Sequence, residues 1–237
     1  MIWTFRTMMW LCLPLLMLAG PWVMRTEAAG HGGPVHVRQQ EAIDSVHTPE
    51  PAQAAVKKSA CDPAAERLRA QMRKLWIDHG YWARTSLVSS IAGLEDSEPV
   101  LARLLKNQQD IGDAVKPYYG EEAGNKLAEL LREHILIAGK LKEAVQKGHR
   151  EDADKYKTDW YRNAEDIATF LSKANPAWSF TELKALLDRH LDLVAENLNA
   201  RLNKDWQADI RVFDEGEDHL IRLADVLAEG IVKQFPQ

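Results

Sequence analysis

After residue 60 the apolar residues of this chain recur at three- and four-residue spacing, and no stretch alternates as a half-buried strand does. The first stripe runs Leu68, Met72, Leu75, His79, Trp82, Ser86 and Ile91. It opens at Asp62-Pro63, a capping residue with proline at the first helical position, and ends near Gly93. Glu98-Pro99 opens a second helix carrying Val100, Leu104, Asn107, Ile111 and Val115, which Pro117 stops; Tyr118-Tyr119-Gly120 form its connection. The third carries Leu127, Leu130, His134, Ile137 and Leu141 and ends at Gly148. A fourth runs from about Glu151 through Tyr156, Trp160, Asn163, Ile167 and Phe170 to Asn175-Pro176. Ser179 to Thr181 cap a fifth, with Leu183, Leu187, His190, Val194 and Leu198. A turn at 203–205 leads into a sixth, with Trp206, Ile210, Phe213, Glu217, Leu220, Leu227 and Ile231, stopped by Phe235-Pro236. Connections of a few residues imply antiparallel neighbours. The pattern predicts an all-α bundle of six helices over residues 61–237.

These stripes contain a recurrence. His79, His134 and His190 lie 55 and 56 residues apart, each one turn after an apolar pair: Leu75-Trp76, Leu130-Leu131 and Leu186-Leu187. A second motif follows each histidine by 28 or 29 residues: Asn107-Gln108-Gln109-Asp110-Ile111, Asn163-Ala164-Glu165-Asp166-Ile167, and His219-Leu220-Ile221-Arg222-Leu223. A fixed period of this length is the mark of a repeated supersecondary unit. The midpoints of the three intervals fall at Gly93, Gly148-His149 and Lys204-Asp205, where the turns are expected. Some 13 residues out and the same number back, at about 1.5 Å each, return the chain to its starting height. Three antiparallel hairpins with one polar layer follow, each histidine beside its Asn or His partner. A second alignment of the third unit, Ala208-Asp209-Ile210 on Glu165-Asp166-Ile167, requires a deletion and loses the turn symmetry.

The layer is the candidate site: His79, Asn107, Asp110, His134, Asn163, Asp166, His190 and His219, with Asp113 and Asp225 one turn further. A buried imidazole requires partners for its nitrogens. One reading is a hydrogen-bonded layer that fixes helix register. A second is a transition-metal site of His79, His134, His190, His219 and Glu217, since imidazole suits zinc, copper, iron or nickel and bundle cores host such centres. A third is a pocket for a small polar or anionic molecule. The metal reading lacks the usual helical spacings, Glu-x-x-His and His-x-x-x-His. Arg84 lies within reach of the layer, and Trp76, Trp82, Trp160, Trp178 and Trp206 fall on or beside the stripes as core. Tyr118-Tyr119 is a candidate pocket rim.

Other chemistry finds little support. There is no Gly-x-Ser-x-Gly, no glycine-rich phosphate loop, and Cys61 stands beside no histidine. Asp152-Ala153-Asp154 matches the short Asp-x-Asp of glycosyltransferases but lies at a helix start. The formal charge of −5 gives no broad electrostatic case for nucleic acid. The basic cluster Lys57, Lys58, Arg67, Arg69, Arg73 and Lys74 reads as a solvated helix start.

Residues 1–29 read as a signal peptide: one early cation, Arg6, an apolar run, and Thr26 and Ala28 placed for cleavage. The alternative is a membrane anchor over residues 8–24. Residues 30–60, rich in Gly and Pro and containing His31, His36 and His47, read as a disordered linker. The expected location is secreted or cell-envelope, with membrane contact only through an uncleaved leader. One cysteine beyond the leader forms no internal disulfide, so the fold must rest on its core.

Four stretches resemble a helical protein family of Bacillus-like bacteria: Leu104 to Gly112, Lys116-Pro117-Tyr118-Tyr119-Gly120, Trp160 to Ile167, and Glu229 to Pro236. The resemblance covers about residues 65–236. Its members carry inconsistent labels, glycosyltransferase and acetylglutamate kinase, so the resemblance implies a helical fold and a transferase alternative but supplies no catalytic residues. An acetylglutamate kinase would need an α/β core and phosphate loops that the pattern does not contain. The sequence thus points to a non-enzymatic binding or structural protein, with a metal-binding bundle and a transferase as the alternatives.

Overall fold

The computed structural model describes residues 62–236, and among them are five α-helices and no strand. The elements are α1 (Pro63–Ala92), α2 (Ser97–Lys147), α3 (Arg150–Ala174), α4 (Phe180–Leu202) and α5 (Trp206–Gln234). The expected leader, linker and Cys61 lie outside the described residues. The helix ends are set by local chemistry. Asp62 accepts from the Ala64 amide at 2.9 Å ahead of Pro63. Ser179 and Asp205 cap α4 and α5 in the same way. The predicted turn centres are left-handed: Gly93 has φ 66°, Gly148 φ 73° and Lys204 φ 59°. Glycine supplies that conformation without a Cβ penalty, whereas Lys204 adopts it at a cost.

The count of six helices is corrected to five. The second and third predicted helices form one 51-residue element, α2, because helical structure runs on through Pro117 to Tyr119. Only Gly120 breaks it, with φ 83° and ψ 168°. The break is sharp. A Cβ added to Gly112 would stand 2.4 Å from the Gly124 carbonyl oxygen, although twelve residues of straight helix would hold these positions about 18 Å apart. The chain therefore doubles back at Gly120, and two facing glycines let its arms touch backbone to backbone.

α1 packs on α2 and α5, α3 on α2 and α4, and α4 on α5. Most of the apolar core lies on one side of the histidine level, with Leu141 and Trp160 on the other. It takes Leu68, Met72 and Trp76 from α1, Leu183 and Leu187 from α4, and Leu223, Leu227 and Ile231 from α5. Trp76, Trp160 and Trp178 are buried as expected, whereas Trp206 is half-exposed beneath the Arg201 guanidinium. Gly230 admits Trp178 so closely that an added Cβ would fall 1.8 Å from its indole nitrogen. The Trp178 N–H then donates to the Val226 carbonyl at 3.2 Å, fixing α5 to the α3–α4 connection. Tyr119 belongs to that end of the bundle, donating to Gln234 at 3.0 Å and accepting from the buried Asn175 at 2.9 Å. It is a structural lock, so the reading of Tyr118-Tyr119 as a pocket rim is not supported.

Candidate functional site: a cavity floored by histidines

Three hydrogen bonds recur at corresponding positions. The Asn107 amide donates to the Leu75 carbonyl at 3.0 Å, the Asn163 amide to Leu130 at 3.2 Å, and His219 Nε2 bonds Leu186 at 2.8 Å. Each acceptor lies four residues before a histidine. Such a carbonyl already serves its helix, and the partner uses its second lone pair. Each bond joins two helical segments at a fixed height.

The histidines themselves are buried. His134 Nδ1 lies 2.8 Å from Asn163 Oδ1. Because the Asn163 nitrogen is committed to Leu130, its oxygen faces the ring and can only accept. His134 therefore carries its proton on Nδ1 and leaves Nε2 as a bare acceptor. His79 is held differently. Its Nδ1 faces the Gln108 amide nitrogen at 3.3 Å, and that nitrogen also donates to the Leu104 carbonyl at 2.8 Å and to Asn107 Oδ1 at 3.2 Å. Two amide hydrogens face three acceptors, and the His79 contact is the longest of them, so it does not set the tautomer of that ring. His190 is 7% exposed, and neither of its nitrogens has a hydrogen-bond partner among the described residues. Its ring stands 5.6 Å from that of His79 and 6.2 Å from that of His134, centroid to centroid.

Burial dominates the electrostatics of this trio. Desolvation lowers His79 to about 4 against the opposing bonds from Gln108 and Asn107, and lowers His134 to about 4 against the bond to Asn163. His190 falls well below its ordinary value through burial, then through the proximity of His79, His134 and His219. All three rings are neutral at physiological pH.

On the side away from the core, the three rings open into a cavity of about 160 Å³. Residues four and five beyond each histidine line it in all three segments: Ala83 and Arg84, Ala138 and Gly139, Val194 and Ala195. Trp160, Phe213 and Gly216 close it from the partner helices. Added Cβ atoms at Gly139 and Gly216 would meet nothing within 4 Å. The walls are mainly apolar. Trp160 also places a buried indole N–H without a partner beside His134, its ring centroid 5.2 Å away.

A buried ion pair borders the cavity. The Arg84 guanidinium grips Asp209 at 2.6 and 2.7 Å, and Arg201 adds a bond at 2.9 Å. The Asn197 amide donates to the same carboxylate at 3.0 Å. Burial would raise the Asp209 carboxyl, but the two arginines hold it below the usual carboxylate range. Arg84 thus reaches toward the site, as a partner of Asp209. Glu217 lines the cavity and forms no ion pair among the described residues.

The structure sorts the expected polar layer into groups. His79, His134 and His190 meet at the cavity floor, while Asn107, Asn163 and His219 hold the carbonyl level. Direct pairing across the interval holds for His134 with Asn163. His79 instead meets Gln108, one residue beyond its expected partner, and His219 turns to Leu186 rather than to His190. Asp110 and Asp166 are not in the layer: Asp110 pairs with Lys106 at 2.5 Å and Asp166 is exposed. Asp113 and Asp225 likewise serve surface pairs, with Lys116 and Arg73.

The five-ligand metal set does not assemble. His219 is bonded to a backbone carbonyl. Among the described residues no three His, Cys, Asp or Glu are placed to hold a metal ion. Gln108, Asn197 and Asp209 are participants that the sequence reading did not select. Gln108 stood within a noted motif and Asp209 within the rejected alignment, but His79 lies 29 residues from the first and Arg84 125 residues from the second. Among the described residues no helix is long and apolar enough to cross a membrane. The chain matches no family model, no curated protein and no solved structure.

Proposed function

We propose that this chain is an exported, non-enzymatic binding protein of the cell envelope or extracellular space, built from three repeated helical hairpins around a small-molecule cavity. Export is supported by the leader pattern of residues 1–29. The repeat is supported by the three corresponding carbonyl bonds and by left-handed residues at all three turn midpoints. Binding rather than catalysis is supported by the absence of a nucleophile motif from the sequence and by the commitment of two imidazole Nδ1 atoms to neighbouring amides.

One observation carries the binding reading. Gly216 is part-buried in a helix interior, lines the cavity and has open space where a side chain would stand. It costs about 1 kcal/mol of helix stability relative to alanine. A larger side chain would both relieve that cost and fill the void. The cavity is therefore kept open at this position against local stability, as expected of a ligand site.

Gly216→Leu tests this. The leucine should raise the melting temperature of the unliganded protein and abolish the stabilisation that a ring-sized apolar compound gives the parent. If toluene leaves the parent melting temperature unchanged, or raises that of the variant equally, the cavity is not a binding site.

A further inference from the structure

We propose that the cavity selects a small uncharged ring compound bearing a hydroxyl, a phenol or a close analogue, with the ring against the apolar walls and the hydroxyl on the histidine floor. This rests on the binding reading above and adds to it the chemistry of the head group.

Size comes first. A cavity of about 150 Å³ takes up benzene, so the 160 Å³ of this half-open cavity suits one six-membered ring with a small substituent. The walls of Ala83, Ala138, Val194, Phe213 and Trp160 offer dispersion and aromatic contact. The floor differs in kind. His190 is a buried residue whose nitrogens have no hydrogen-bond partner among the described residues, which leaves both available to a ligand. Beside it, the hydrogen-bond network leaves His134 with an Nε2 acceptor.

A floor that offers an acceptor on His134 and, in His190, a ring able to donate or accept matches a group that both donates and accepts. A hydroxyl is the smallest such group. Charged heads fit less well. Lys142 and Glu217 also line the cavity, but the neutral rings of the floor give a head group seated on them no cation to offset a carboxylate and no anion to offset an ammonium, and either ion would lose hydration among the apolar walls. Arg84 does not alter this, because Asp209 takes both ends of its guanidinium.

Phenol, toluene and benzoate discriminate the possibilities, since phenol and toluene share one shape and differ only at the head. Their affinities for the intact protein can be measured by ligand-detected NMR or calorimetry, for the parent, His190→Leu and His190→Gln. Phenol should bind the parent roughly ten-fold tighter than toluene despite its lower hydrophobicity, with benzoate weakest. His190→Leu removes no hydrogen bond from the fold, so toluene binding should persist while the preference for phenol is lost. His190→Gln, which can still donate and accept, should restore part of that preference. Near-UV circular dichroism establishes that each variant is folded. Equal binding of phenol and toluene by the parent overturns the assignment and leaves the binding reading intact. So does tighter binding of benzoate, or an undiminished phenol preference in His190→Leu. Failure of all three compounds to bind the parent overturns both.

Discussion

Replacing His134 by glutamine keeps an uncharged polar side chain opposite Asn163 and removes one titrating group from the cavity floor. In the folded protein His134 lies at about 4, with desolvation as the main cause, against about 6.5 for an unfolded histidine. A basic group lowered in this way stabilises the fold while neutral. Its contribution is complete above about pH 6.5 and is lost as the pH falls toward 4. The full gap corresponds to about 3 kcal/mol, of which about 2 kcal/mol is lost by pH 5, before most carboxylates titrate. With a urea dependence of about 2 kcal/mol per M, the parent midpoint should fall between pH 7.5 and 5 by roughly 1 M more than that of His134→Gln. His79, His190 and Glu217 line the same cavity in both proteins, so the comparison is between the two slopes. Identical slopes would show that His134 is not held as a buried neutral ring, and the account of the floor would fail with it.

Other perturbations test separate parts of the structure. Asn163→Leu strands the His134 Nδ1–H and should cost about 1–3 kcal/mol in urea unfolding, whereas Asp166→Ala, on the surface, should stay within about 0.5 kcal/mol of the parent. Gly230→Ala drives a methyl into the Trp178 indole and should lower stability by about 1–3 kcal/mol. Gly139→Ala meets nothing and should raise stability by about 1 kcal/mol, so opposite shifts in melting temperature are expected for the two glycines. Arg84→Leu leaves the buried Asp209 with only Arg201 and Asn197 and should cost about 3–5 kcal/mol, with part recovered when Asp209→Leu is added. A double mutant no more stable than Arg84→Leu alone would show that the loss does not arise from a stranded carboxylate.

Class, helix ends and turn positions were legible because they are set by neighbours along the chain. Asp62-Pro63 and Ser179 fix helix starts through bonds to amides two and three residues on. Gly93, Gly148 and Lys204 adopt left-handed backbone at the interval midpoints. The spacing also placed three histidines and their Asn or His partners at one height, since helical rise depends on residue number alone. What it could not give was the direction in which each polar group turns. Asp110 and Asn107 are three residues apart, yet one reaches a lysine at the surface and the other a carbonyl on α1. Gln108 displaced Asn107 as the partner of His79 by a rotation of about 100° around the helix, a distinction settled only when α1 lies against α2. The bend of α2 at Gly120 depended on the approach of Gly112 to Gly124. The pairing of Asp209 with Arg84 depended on α5 packing against α1. The cavity itself is a volume left by small residues on different helices. Periodicity along the chain determined which residues stand at each level, and packing between helices decided which of them meet, which face water and which enclose space.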